Sequence, residues 1–203
     1  MSVLVPGAPG VPPPPVVPPV PSGWARGTLW LGAALTAAQA LSFGVGSLGA
    51  AAEPWADLVG WLYGAVTVAV FVVACLWLTR SRELATAVQP RSRQVRGPVW
   101  VWLGWIVPVV NLWFPLQVVR DIRAATSTVL DRSRSARGLG WWWFCWLVAL
   151  IAENVSVNVD GADDWLRPQL DALALAATVV GYALWVRVVR DLTARQQAVA
   201  GPR

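Results

Sequence analysis

The sequence has no lysine, no histidine and only two cysteines. Without His, a nucleophilic triad of the Ser–His–Asp kind cannot be assembled. Cys75 and Cys145 each stand alone in an apolar run, which gives no basis for a Cys/His zinc site. Both thiols read as small apolar packers. Charge is scarce too. Only 13% of residues are charged and 56% are hydrophobic, whereas a soluble domain carries about 25% charged residues. Such a chain cannot present a mostly water-facing surface.

The charge that is present is unevenly placed. All 16 basic residues are Arg, and most fall in short gaps between long uncharged runs. One gap holds Arg80, Arg82, Arg91, Arg93 and Arg96; another holds Arg120, Arg123, Arg132, Arg134 and Arg137. The chain ends with Arg187, Arg190, Arg195 and Arg203. Other gaps are acidic, with Glu53 and Asp57, then Glu153, Asp160, Asp163, Asp164 and Asp171. The pI of about 10.5 does not indicate nucleic acid, because the arginines flank apolar runs instead of striping a polar domain. They read as orientation signals and contacts for anionic headgroups, in particular Arg80, Arg82, Arg91, Arg93, Arg96, Arg120 and Arg123. The exclusive use of Arg, with abundant Ala, Val, Gly and Trp, suggests a GC-rich bacterial genome.

Three segments follow. Residues 1–23 are rich in Pro, cannot bury a core, and read as a disordered cytoplasmic tail with polyproline II character. Pro15-Val-Val-Pro18 fits a minimal PxxP ligand, although a plain tail explains it as well. The tail lacks the basic start of a signal peptide, and Ala50-Ala51-Ala52 lies too late for a cleavage site. Residues 24–197 form a polytopic helical membrane domain, and 198–203 a short cytoplasmic tail. Gly27–Ala52 and Leu58–Thr79 are each long enough to span a bilayer, joined by a tight link. Gly60 and Gly64 give a GxxxG spacing suited to close helix contact. A fourth apolar run opens with Trp141-Trp142-Trp143, as an interfacial belt does, and continues past Glu153; a last one covers about Trp165 to Val186.

The third apolar run, Gly97–Val119, differs from the others. Pro108, Asn111, Leu112 and Pro115 sit in it, and each Pro removes a backbone donor and clashes one turn back. A broken helix at membrane depth is tolerated only when buried in protein or lining a cavity. Arginine counting points to the same region. If all five runs cross, seven arginines lie on the N-terminal side and nine on the other. If the third run enters and leaves on one side, every arginine except Arg167 shares that side. The positive-inside rule prefers the second arrangement. The expected fold is therefore all-α: four transmembrane helices plus one Pro/Asn-broken re-entrant or deeply inserted hairpin, with both termini cytoplasmic in the inner membrane. A kinked full span is the alternative. The stretch after Pro115 suits an amphipathic helix on the inner surface, and Val188-Val-Arg190-Asp191-Leu192 looks like a faint echo of it.

Trp105-Ile-Val-Pro108-Val-Val-Asn111-Leu112-Trp-Phe-Pro115-Leu-Gln-Val-Val-Arg120 resembles the signature of the actinobacterial membrane family called domain of unknown function 4328. The Trp141-Trp142-Trp143 cluster and the ending from Val186 to Gln196 fit it as well. The resemblance would cover about Trp24 to Gln197. It implies a fold and a location, and no reaction.

Candidate sites follow from polar groups at membrane depth. Asn111, between two helix breakers, is expected either to tie down freed backbone groups or to coordinate a solute. Glu153 and Arg167 are expected to form an ion pair at the acidic face. Glu153, Asn154, Ser156, Asn158 and Asp160 supply oxygen ligands, but without EF-hand spacing they make no metal site. No cofactor and no catalytic residue is expected. The expected function is a non-enzymatic structural or interaction module contacting the lipid bilayer, other membrane proteins or further copies of itself. A small transporter or channel subunit using the Pro108–Pro115 break is the alternative.

Overall fold

A computed structural model describes residues 17–90, 94–127, 136–158 and 165–200. Residues 1–16 of the Pro-rich tail, Arg91, Arg93, Arg132, Arg134, Asp160, Asp163, Asp164 and the terminal residues 201–203 lie outside the described residues.

The chain is all-α. Four helices are long and apolar enough to cross a membrane: α1 (Ser22–Ser47), α2 (Glu53–Val88), α5 (Ala136–Ser156) and α6 (Leu166–Ala200). Between α2 and α5 lie two short helices, α3 (Trp100–Ile106) and α4 (Phe114–Ala125), which pack on each other as a hairpin. With 7 residues, α3 rises only about 10 Å and does not cross a 30 Å hydrocarbon core. The third apolar run is thus an inserted hairpin, not a fifth span.

The helices overrun the sequence-based spans. In α2 the helix continues from Arg80 to Val88, about 13 Å further by helix rise; in α6 it continues from Arg187 to Ala200, about 21 Å. Lack of Gly or Pro in both stretches lets the helices run on. The two extensions and α4 build a cap at the arginine-rich end. Here α4 does not lie flat on a lipid surface. Its apolar face, with Val118, Val119 and Ile122, is buried against Leu78 and Ala85 of α2 and Val188, Val189 and Leu192 of α6 in one core cluster.

The tryptophans depart from the expected belt. Helical rotation points Trp141 outward, whereas Trp142 and Trp143 are buried. Trp142 stacks on Trp185 of α6 at 4.7 Å, and Trp143 on Trp146 at 4.6 Å. Trp77 of α2 meets Trp185 edge-on at 5.6 Å. These offset and edge-to-face pairs fill the bundle where α2, α5 and α6 meet.

Close approach uses glycines other than the GxxxG pair. The Tyr182 ring lies 2.9 Å from where a side chain on Gly32 would begin, so only Gly admits α6 there. Among the described residues nothing lies within 4 Å of where a side chain on Gly60 or Gly64 would begin. Cys75 and Cys145 are free; the Cys75 thiol donates to the Val101 carbonyl at 3.4 Å.

Candidate functional site

The hairpin reverses at Pro108–Val109–Val110. The Val110 N–H donates to the Pro108 carbonyl at 2.7 Å, a γ-turn with Val109 at φ +67°. Pro108 cannot continue α3, and Pro115 starts α4 within its first turn, where its missing N–H costs nothing. Between them Val110–Leu112 make a 3-10 turn.

The break frees backbone groups, and one of them is satisfied from α5. The Trp143 indole N–H donates to the Leu112 carbonyl at 2.8 Å. Asn111 donates its own backbone N–H to the Val107 carbonyl at 3.0 Å, but its side-chain Oδ1 is buried and has no partner among the described residues. One freed carbonyl, that of Leu112, thus receives its donor from Trp143. An indole donor on a neighbouring span leaves no signal in local sequence spacing.

At the arginine end, side chains knit the cap together. Asp191 of α6 accepts from Arg123 of α4 at 3.1 Å and from Arg195 at 2.9 Å. Arg195 also donates to Ser127 Oγ at 3.0 Å. The Val95 N–H donates to the Asp121 carboxylate at 2.8 Å. Arg96 donates to Gln117 at 2.9 Å, its guanidinium lies 3.9 Å over the Phe114 ring, and its carbonyl accepts from Arg82. Burial pushes the Asp121 carboxyl above the usual carboxylate range, against the Val95 N–H and the charges of Arg82 and Arg96. Of the arginines expected to face headgroups, Arg82, Arg96 and Arg123 are thus turned into the cap. Arg80 pairs with Glu83 at 3.0 Å on the surface, and Arg120 is exposed. Gln196, Ser81 and Trp77 are wholly buried, and among the described residues the Gln196 amide, the Ser81 hydroxyl and the Trp77 indole nitrogen have no partner.

At the acidic end, Glu153 gathers groups from three helices. Gln39 of α1 donates to Glu153 Oε1 at 2.5 Å, and Tyr63 of α2 donates to the same oxygen at 2.9 Å. One turn on, Ser156 donates to Asp171 of α6 at 2.5 Å. Gln39 lies eight residues before the end of α1 and Tyr63 ten residues into α2, about 12–15 Å inside the bundle by helix rise. The ion pair expected between Glu153 and Arg167 is replaced by these neutral donors, and Arg167 is exposed. Two lone polar residues inside apolar runs, Gln39 and Tyr63, were the available signal. Among the described residues no three Asp, Glu or Cys side chains converge as a metal-ligand group.

The match to known families falls on this same region. A family model described as domain of unknown function (DUF4328) matches residues 46–172. The chain belongs to this family. The matched segment begins at the end of α1, includes α2, the whole hairpin and α5, and stops inside α6, so the family region holds Asn111, Trp143 and Glu153. No curated protein and no solved structure matches the chain.

Proposed function

We propose that this multi-pass membrane protein is a non-enzymatic structural or interaction module of the cell membrane, with both termini and the arginine-rich cap in the cytoplasm. The observation that carries the reading is the cap itself. The α2 and α6 extensions leave the apolar spans and share one apolar cluster with α4, which the Arg123–Asp191 contact ties to α6. A filled core with stacked tryptophans suits a rigid platform better than a conduit. The arginine bias gives the orientation, and the arginine-only basic complement suits an actinobacterial source. Further copies of this chain, or other membrane proteins, are the partners such a platform would hold; the unused small-residue face at Gly60 and Gly64 suits this.

One observation favours a small transporter instead: the buried Oδ1 of Asn111 at the helix break, which has no partner among the described residues. Asn111→Ala separates the two. A platform keeps wild-type solute leakage in reconstituted vesicles whether or not the variant is present. Flux through wild type that Asn111→Ala abolishes, with folding intact, overturns the platform reading. The orientation is tested by single cysteines at Ser133 and Gly161 in a chain with Cys75 and Cys145 replaced by Ala. An impermeant thiol reagent should label only the Gly161 position in intact cells.

A further inference from the structure

The observation is a cleft of about 620 Å³ between α1 and α6 at the arginine end. At the arginine end it is lined by Arg26 and Arg190 with Thr193, and one turn further along by the half-buried Leu29 and Val186 and the largely exposed Trp30. Tyr182 closes the bottom, its hydroxyl donating to the Leu29 carbonyl at 3.0 Å and its ring lying on Gly32. Arg26 and Arg190 are exposed, and among the described residues neither meets a carboxylate. The level is also defined: the uncharged stretch of α1 begins just after Arg26, and that of α6 ends at Arg187. The arginines therefore stand where apolar span meets headgroup region.

We propose that this cleft binds one anionic phospholipid, its phosphate between Arg26 and Arg190 and its upper acyl chain against Leu29, Trp30 and Val186. Charge complementarity selects the headgroup. Two guanidiniums that meet no carboxylate among the described residues match one phosphate diester and disfavour a zwitterion whose own ammonium competes. The amphipathic walls select a lipid over a soluble phosphate, since the apolar half stays unfilled without a chain. The inference rests on the reading that the arginine end faces an anionic leaflet.

The test uses the full-length chain purified in mild detergent and titrated with phosphatidylglycerol, phosphatidylcholine or glycerol phosphate, with bound lipid counted by native mass spectrometry. Wild type should hold one phosphatidylglycerol about tenfold or more above phosphatidylcholine, without competition from glycerol phosphate. R26Q/R190Q should lose that preference, and so should Ala194→Trp, which crowds the mouth and keeps both arginines. R120Q, on the exposed side of α4, should keep it. A preference that survives in R26Q/R190Q and Ala194→Trp overturns the cleft while leaving the wider reading intact. Absence of any headgroup preference in wild type and R120Q alike overturns the wider reading as well. Equal competition by glycerol phosphate makes this a phosphate site and overturns the lipid assignment.

Discussion

Trp143 on α5 ties down the hairpin with its indole N–H, which donates to the Leu112 carbonyl at 2.8 Å. In a bilayer core there is no water to replace that donor. Trp143→Phe keeps an aromatic ring near Trp146 but removes the N–H together with part of the buried indole. We expect a loss of at least about 1–3 kcal/mol, the usual cost of an orphaned buried acceptor, with the lost packing added to it, read as a lower unfolding temperature in detergent. Trp141→Phe, on the exposed face, should change nothing. Equal stability of Trp143→Phe and wild type would show that the hairpin does not depend on this bond.

Val109 carries the strain of the same turn. At φ +67° and ψ −53°, a β-branched side chain sits in a region that favours Gly. Its side chain is 65% exposed, so little packing is lost on truncation. Val109→Gly should therefore stabilise the protein by about 1 kcal/mol, the strain relieved exceeding the added entropy of the unfolded chain. A destabilised variant would mean that Val109 contributes more by lipid or partner contact than it costs in backbone strain.

The sequence made the four spans and the hairpin legible, because apolar run length and arginine placement act through the bilayer itself, whatever the tertiary packing. Pro108 and Pro115 marked the break for a local steric reason. What stayed hidden was pairwise. Nothing near Leu112 announces Trp143, and nothing near Glu153 announces Gln39, more than a hundred positions away. Arg82, Arg96 and Arg123 carry the same composition signal as Arg120, yet the first three turn into the cap. Which face of a helix an arginine occupies depends on how far α2 and α6 overrun the bilayer. Hydropathy ends at the first charge and cannot report that.

Asp121 makes stability depend on pH. Burial raises its folded-state carboxyl above the usual range, with the Val95 N–H, Arg82 and Arg96 only partly opposing. The folded state thus holds the proton more tightly than the unfolded chain. The favourable contribution is complete below the unfolded value of about 3.9 and is lost as pH rises through the folded value. Asp121→Asn keeps an acceptor for the Val95 N–H and cannot ionise. Its unfolding temperature relative to wild type should therefore climb as pH rises from about 4 to 7. A difference that stays flat, or falls, would mean the arginines outweigh burial at this site.

Glu153 is the point at which α1, α2 and α5 are tied by polar groups inside the bundle, and its two donors share one oxygen. Glu153→Gln retains an amide oxygen for Gln39 and Tyr63, so it should unfold close to wild type. Glu153→Leu fills similar space and leaves both donors unmade, at about 1–3 kcal/mol each. The contribution of the pair is isolated by a double-mutant cycle with Tyr63→Phe. Once Glu153 is Leu, removing the Tyr63 hydroxyl should cost nothing further, whereas in wild type it should cost about 1 kcal/mol or more. Additive losses would mean that the hydroxyl and the carboxylate stabilise the bundle independently, not through the bond between them.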